Sequence, residues 1–167
     1  MNNGAQPGFD RLVVEIFRLN GRLVGAGDEL VSDLGLSSAR WQVLGALALS
    51  GVPLPVAHIA RNMGLSRQAV QRLVNEMQGQ GLLRLEPNPH HRRAHLVVLT
   101  EAGRAAYARA MQRQMPWARS LTKGISAARI SEALALLTEL RQRLEAKAQH
   151  EGDQHAHDRD GPDGRNS

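Results

Sequence analysis

VAHIARNMGLSRQAVQRLVNEMQGQGLL, Val56 to Leu83, is the stretch that decides the fold. It reads as two short helices joined by a turn at Gly64. At ~100° per residue, Ala69, Val70, Leu73, Val74 and Met77 fall on one arc of about 140°. Arg67, Gln68, Gln71, Arg72, Asn75 and Gln78 fall on the opposite arc. One face is a packing surface. The other carries guanidinium and carboxamide groups, which can make paired hydrogen bonds to guanine and adenine edges in the major groove. Such residues also suit an ordinary solvated helix face, so the flanking sequence has to decide.

Upstream, Ser37 or Ser38 can cap a helix over Ala39–Leu49, which Ser50-Gly51 and Pro53 stop. Pro55 suits the first turn of a short helix, Val56–Met63. Ser66 then caps the helix from Arg67 to about Gln80, which Gly79 and Gly81 end. Downstream, Leu82–Leu85 and His95–Leu99 are short β-like runs. Between them EPNPHHRRA, rich in turn formers and charge, predicts the protruding basic tip of a two-stranded hairpin.

Thr100 caps a long helix to around Met115, with Glu101 in its first turn, where the helix dipole favours an acid. Pro116 and Gly124 punctuate the chain. Ser126 caps a last helix to about Ala148, with Ile130, Leu134, Leu137, Leu140 and Leu144 as its apolar stripe. At the other end, apolar residues recur at helical spacing over Phe9–Leu34. Gly21, Gly25 and Gly27 interrupt that pattern. They fit either a weak, kinked helix or close packing against another helix, such as one from a second copy. Residues 1–8 and the acidic tail 150–167 carry no periodicity and are expected to be disordered. The expected organisation is one domain, 9–149. It comprises a lobe of about 37–100 between long terminal helices of about 9–34 and 101–148.

Composition narrows the function. Hydrophobic residues make up 42% of the 167, enough for a globular core. The most apolar stretch, Trp41–Ala60, contains Gln42, Pro53, Pro55 and His58 and fails as a membrane span. The first ten residues are polar, without a signal-peptide core, so a cytoplasmic protein is expected. There is no cysteine, which excludes disulfides and thiolate metal sites. The formal charge is +5. The tail from His150 carries five acids and two arginines, so the body is more basic than the whole. A basic body fits a protein that neutralises phosphates.

Helix, helix, turn, helix, hairpin is the order of a winged helix-turn-helix, a mainly α fold with a two-stranded β-wing. RWQVLGALA (Arg40–Ala48), HIARNMGLSRQAVQRLVNEM (His58–Met77) and NPHHRRAHLVVLTEAG (Asn88–Gly103) resemble the multiple-antibiotic-resistance regulator (MarR) family of transcription factors. The basic wing running into Leu-Thr-x-x-Gly is the most family-specific part. The resemblance covers roughly Phe9–Ala148. It implies a homodimer joined through its terminal helices, each subunit presenting a recognition helix and a wing to double-stranded DNA. It also implies a repressor released by a small, often aromatic, anionic effector bound between the dimer region and the DNA-binding lobe. One position departs from the pattern. The family usually has an aspartate before the paired wing basics, bracing a wing arginine; here that position is His91.

The candidate DNA-binding residues are therefore Ser66, Arg67, Gln68, Gln71, Arg72 and Asn75 on the helix, and Arg92 and Arg93 on the wing. Wing arginines can reach the narrow minor groove of A·T tracts. Arg18, Arg22, Arg40 and Trp41 are candidates for an effector cavity, although Trp41 also reads as core and the arginines as surface. His90, His91, His95, His155 and His157 invite a metal reading, but their loose spacing and lack of a compact acidic partner argue for no metal; protonatable wing histidines near phosphate are the milder reading. No nucleophile elbow, phosphate loop or His-Glu-x-x-His occurs, so neither an enzyme nor a cofactor is expected. The alternative is a ligand- or metal-binding interaction dimer that does not read DNA.

Overall fold

The structure, a computed structural model, describes residues 6–91 and 93–157. In chain order it contains α1 (Gln6–Val31), a 3-10 turn (Ser32–Leu34), α2 (Ser38–Ser50), β1 (Leu54–Pro55), α3 (Val56–Met63) and α4 (Arg67–Gly79). Then follow β2 (Leu83–Glu86), β3 (Leu96–Leu99), α5 (Glu101–Leu121) and α6 (Ala127–His157). This is the expected mainly α winged helix-turn-helix. The chain divides into two units, 1–120 and 121–167.

The first unit has its core where α2, α3 and α4 meet the sheet. Val43, Leu44, Ile59, Val70, Val74, Met77 and Val97 are fully buried, joined by Val31 of α1 and Ala106 and Ala110 of α5. Each large aliphatic side chain buried there contributes roughly 1.5–3 kcal/mol. Truncating Ile59, the only isoleucine of this core, would leave a cavity under both helices of the helix-turn-helix.

The sheet has three strands, in the order β1-β3-β2, where the sequence suggests two. Leu54 pairs with Val97 and Pro55 with Leu96. A two-residue strand between prolines carries no period-2 signal. Proline is tolerated there because β1 is an edge strand, whose outward N–H makes no ladder bond.

Four boundaries differ from the sequence reading by more than one residue. α1 starts at Gln6, inside the stretch expected to be disordered, with Pro7 in the first turn, where a missing N–H has no intrahelical partner to lose. It ends at Val31, and a 3-10 turn takes the chain to Leu34. α5 runs through Pro116 to Leu121. The proline removes one backbone bond without ending the helix, and Trp117 just beyond it is half-buried. α6 continues past Ala148 to His157, because Gln149, Glu151, Gln154 and Ala156 favour helix after the apolar stripe ends. Residues 1–5 and 158–167 of the expected disordered ends lie outside the described residues.

The three glycines do not break α1. A Cβ on Gly27 would lie 2.7 Å from the Ser38 hydroxyl, so this glycine lets α1 close onto the start of α2. Asp28 beside it accepts a 2.6 Å hydrogen bond from the Ser38 N–H. Gly21 and Gly25 have nothing within 4 Å of an added Cβ.

Candidate nucleic-acid interface

α3 and α4 are joined at Gly64, which sits at φ +64°, in the left-handed region. Its N–H donates to the Arg61 carbonyl and that of Leu65 to Ala60, closing the end of α3. Ser66 caps α4 by accepting from the Ala69 N–H at 3.1 Å. The two faces of α4 separate as the spacing predicts. Val70, Val74 and Met77 are fully buried, and Ala69 and Leu73 half-buried. Ser66, Arg67, Gln68, Arg72 and Asn75 are exposed, and Gln71 is half-buried.

These polar groups are differently committed. The Gln71 Nε2 donates to Asn75 Oδ1 at 2.9 Å, fixing two carboxamides one turn apart. Arg67, Gln68 and Arg72 have no intramolecular partner among the described residues. Glu76, the single acid of α4, is paired with Arg40 of α2 at 3.0 Å. The exposed face is thus cationic and carboxamide-rich, its one carboxylate already neutralised. Solvated helix faces usually mix signs; here the one carboxylate is held by Arg40 of α2.

The wing tip is closed by backbone and by Asn88. The Asn88 side chain accepts from the His90 N–H at 3.0 Å and its carbonyl from the His91 N–H at 3.2 Å. Ala94 N–H then donates to the His91 carbonyl. No carboxylate is paired with Arg93 among the described residues, so this turn is held without the brace that an aspartate at position 91 would give. Arg92 lies outside the described residues. Arg93 is exposed at the root of the tip. There Arg67 and Gln71 of α4, with Arg93 and His95 of the wing, line one notch of about 90 Å³. The sequence reading gives His95 as a possible metal ligand or, more mildly, as a protonatable wing histidine near phosphate, without placing it beside α4. Its nearness to α4 depends on hairpin register, which spacing alone does not fix.

A larger hollow, of about 800 Å³, opens between α1, α2 and α5. Trp41, Tyr107, Met111 and Trp117 form its aromatic and thioether wall. Ser38, Gln42, Asn62 and Gln114 supply its polar groups. Of the four expected cavity residues only Trp41 lines it. Arg40 is bound to Glu76, Arg18 sits 3.8 Å from Glu15 on the surface, and Arg22 is exposed elsewhere on α1. The α5 contributors were missed because the sequence reading ends that helix around Met115, before Trp117, and helical spacing alone does not say which of its residues meet α1 and α2.

Among the described residues no three His, Asp or Glu groups are placed to hold a metal, and no helix is long and apolar enough to cross a membrane.

Residues 34–94 match the model of the MarR family. An uncharacterized protein of Mycobacterium bovis is 42% identical over 94 residues, which are 56% of this chain and 64% of that protein. The transcriptional activatory protein BadR of Rhodopseudomonas palustris is 32% identical over 97 residues, 57% of this chain and 55% of BadR. The chain thus spans less than two thirds of the length of either relative. The transcriptional regulator BldR of Sulfolobus solfataricus superimposes with a TM-score of 0.74 at 19% identity, covering 86% of this chain and 99% of BldR.

Proposed function

We propose that this chain, a winged helix-turn-helix protein of the MarR family, is a sequence-specific double-stranded-DNA-binding regulator of transcription. The observation that carries this is the α4 face. Two free guanidiniums and a fixed pair of carboxamides stand opposite the face that buries Val70, Val74 and Met77, beside a basic wing. Recognition helices of this motif enter the major groove by their N-terminal residues. Here those residues are Arg67, Gln68 and Gln71, with Arg72 and Asn75 following, Ser66 at the cap, and Arg92 and Arg93 on the wing. The family is one of regulators rather than enzymes.

The working form is a homodimer in the cytoplasm. α1 exposes Phe9, Phe17 and Leu19, and α6 exposes Ile130, Leu134 and Leu144, apolar surfaces that a lone chain leaves wet. A two-fold dimer reads an inverted repeat with half-sites ~10 base pairs, or a multiple of a turn, apart. Seated across promoter DNA, such a dimer represses by occlusion. A small effector entering the hollow beside Trp41 releases it. That hollow has aromatic walls and no cation in its lining, which favours an aromatic, uncharged effector over an anionic one.

Selection of bound fragments from a random duplex pool, followed by titration at several salt concentrations, tests the reading. The expected result is a two-fold symmetric motif whose affinity falls steeply with salt. If no duplex is bound, the chain is an interaction module instead.

A further inference from the structure

We propose that the notch between α4 and the wing is a socket for one phosphate group, and that His95 is one of its ligands. This deepens the DNA-binding reading and rests on it. The socket's occupant is a phosphodiester of the bound duplex. Four residues with hydrogen-bonding side chains line the notch: Arg67, Arg93, His95 and Gln71. No acid lines it; its remaining walls are Pro55, Val56, Ala57, Leu85 and Ala94. Neither arginine is paired with a carboxylate among the described residues. Two arginines without a carboxylate partner lining one small space make it electropositive, which favours an anion there. Guanidiniums bind phosphate oxygens in forked pairs of hydrogen bonds, and an imidazole N–H adds a further donor. A space of about 90 Å³ is of the size of one phosphate group.

The placement gives the socket a purpose that separate helix and wing contacts lack. Arg67 and Gln71 belong to the element that enters the major groove, whereas Arg93 and His95 belong to the wing. A phosphate seated between them ties both to one point of the backbone and so sets the register of the helix against the bases. Arg67 carries five N–H donors, enough to hold a phosphate oxygen and still address a base edge.

The test replaces each phosphate of the selected half-site in turn by an uncharged methylphosphonate. Affinity is measured for the wild type and for His95→Ala, Arg93→Ala and His95→Gln, the last keeping an N–H donor. Both positions lie on the surface, and matched melting temperatures show that the three variants fold. At one phosphate per half-site the wild type is expected to lose about ten-fold, the value of one charge-assisted contact, while His95→Ala and Arg93→Ala lose no more than about two-fold there. His95→Gln should restore part of the wild-type penalty. If every methylphosphonate costs the variants as much as the wild type, the socket is overturned, although duplex binding stands. A second arm follows the His95 ring signals while inorganic phosphate replaces chloride at equal ionic strength. A saturable shift that Arg93→Ala abolishes supports an oxyanion socket, and no shift overturns it. Should the wild type bind no duplex, the DNA reading fails separately and the phosphodiester occupant fails with it.

Discussion

Thr100 and Gly103 show how two residues of the Leu-Thr-x-x-Gly motif do structural work. The Thr100 hydroxyl donates toward the Gly81 and Leu82 carbonyls, at 2.7 and 3.0 Å, and accepts from the Gly103 N–H at 3.0 Å. A Cβ on Gly103 would lie 2.1 Å from the Leu82 carbonyl oxygen, a backbone atom that cannot swing away. The motif therefore welds the start of α5 to the chain leaving α4. Gly103→Ala should destabilise the fold by about 1–3 kcal/mol or more, as overpacking at a rigid contact does. Chemical denaturation would read it, and an unchanged midpoint would refute the contact. The DNA-facing residues should respond differently. Gln71→Ala is expected to cost roughly 1–3 kcal/mol on the best site and to relax preference at one or two base positions. Arg93→Ala should weaken binding to every duplex and flatten the log affinity–log salt slope by ~1. Repeating the duplex selection with each variant separates these outcomes; a changed motif for Arg93→Ala with an intact one for Gln71→Ala would reverse the roles.

At the scale of elements, helices were legible wherever a cap and an apolar stripe coincide. Val56–Met63 was read residue for residue, and the two faces of α4 fell as the 3.6-residue period places them. What was not legible depends on partners distant in sequence. β1 exists only because β3 runs beside it. The notch exists only because the hairpin returns to the start of α4, and the hollow draws Tyr107 and Trp117 from a helix more than sixty residues after Trp41. The cap of α4 allows one further separation of roles. Ser66→Ala removes the acceptor for Ala69 N–H and should cost about 1 kcal/mol of stability. Ser66→Asp keeps a good capping acceptor, so stability should hold. It also sets a negative charge where α4 meets the duplex, so affinity should fall at low salt and recover relative to wild type as salt rises. Parallel thermal melts and duplex titrations check both halves; a tighter-binding Ser66→Asp would mean that this helix end does not approach phosphate.

For the whole molecule the exposed apolar surface and the uncharged hollow make linked demands. Phe17 is 72% exposed on α1, and Leu134 and Leu144 are 64% and 70% exposed on α6. Burying one such side chain is worth roughly 1.5–3 kcal/mol, so a second copy that covers several gains enough to hold a dimer at micromolar concentration. Sedimentation should give a dimer, and Phe17→Glu with Leu134→Glu should shift it to monomer while the first unit stays folded. Loss of one half of a two-fold contact should then weaken operator binding far more than binding to a single half-site. The effector prediction concerns the other cavity. An anion entering a hollow without a cation gives up hydration that nothing in the lining replaces, whereas an aromatic amide or phenol finds Gln42, Asn62 and Gln114 as partners among indole and phenol rings. Of two matched probes, salicylamide should therefore raise the melting temperature and lower operator affinity at concentrations where salicylate does neither. Trp41→Ala should abolish the salicylamide response by removing an aromatic wall while sparing duplex binding, since Trp41 faces the hollow and lies outside the α4–wing surface. A stronger response to salicylate would place a cation at the hollow that this chain alone does not supply, and the second subunit would be the place to look for it.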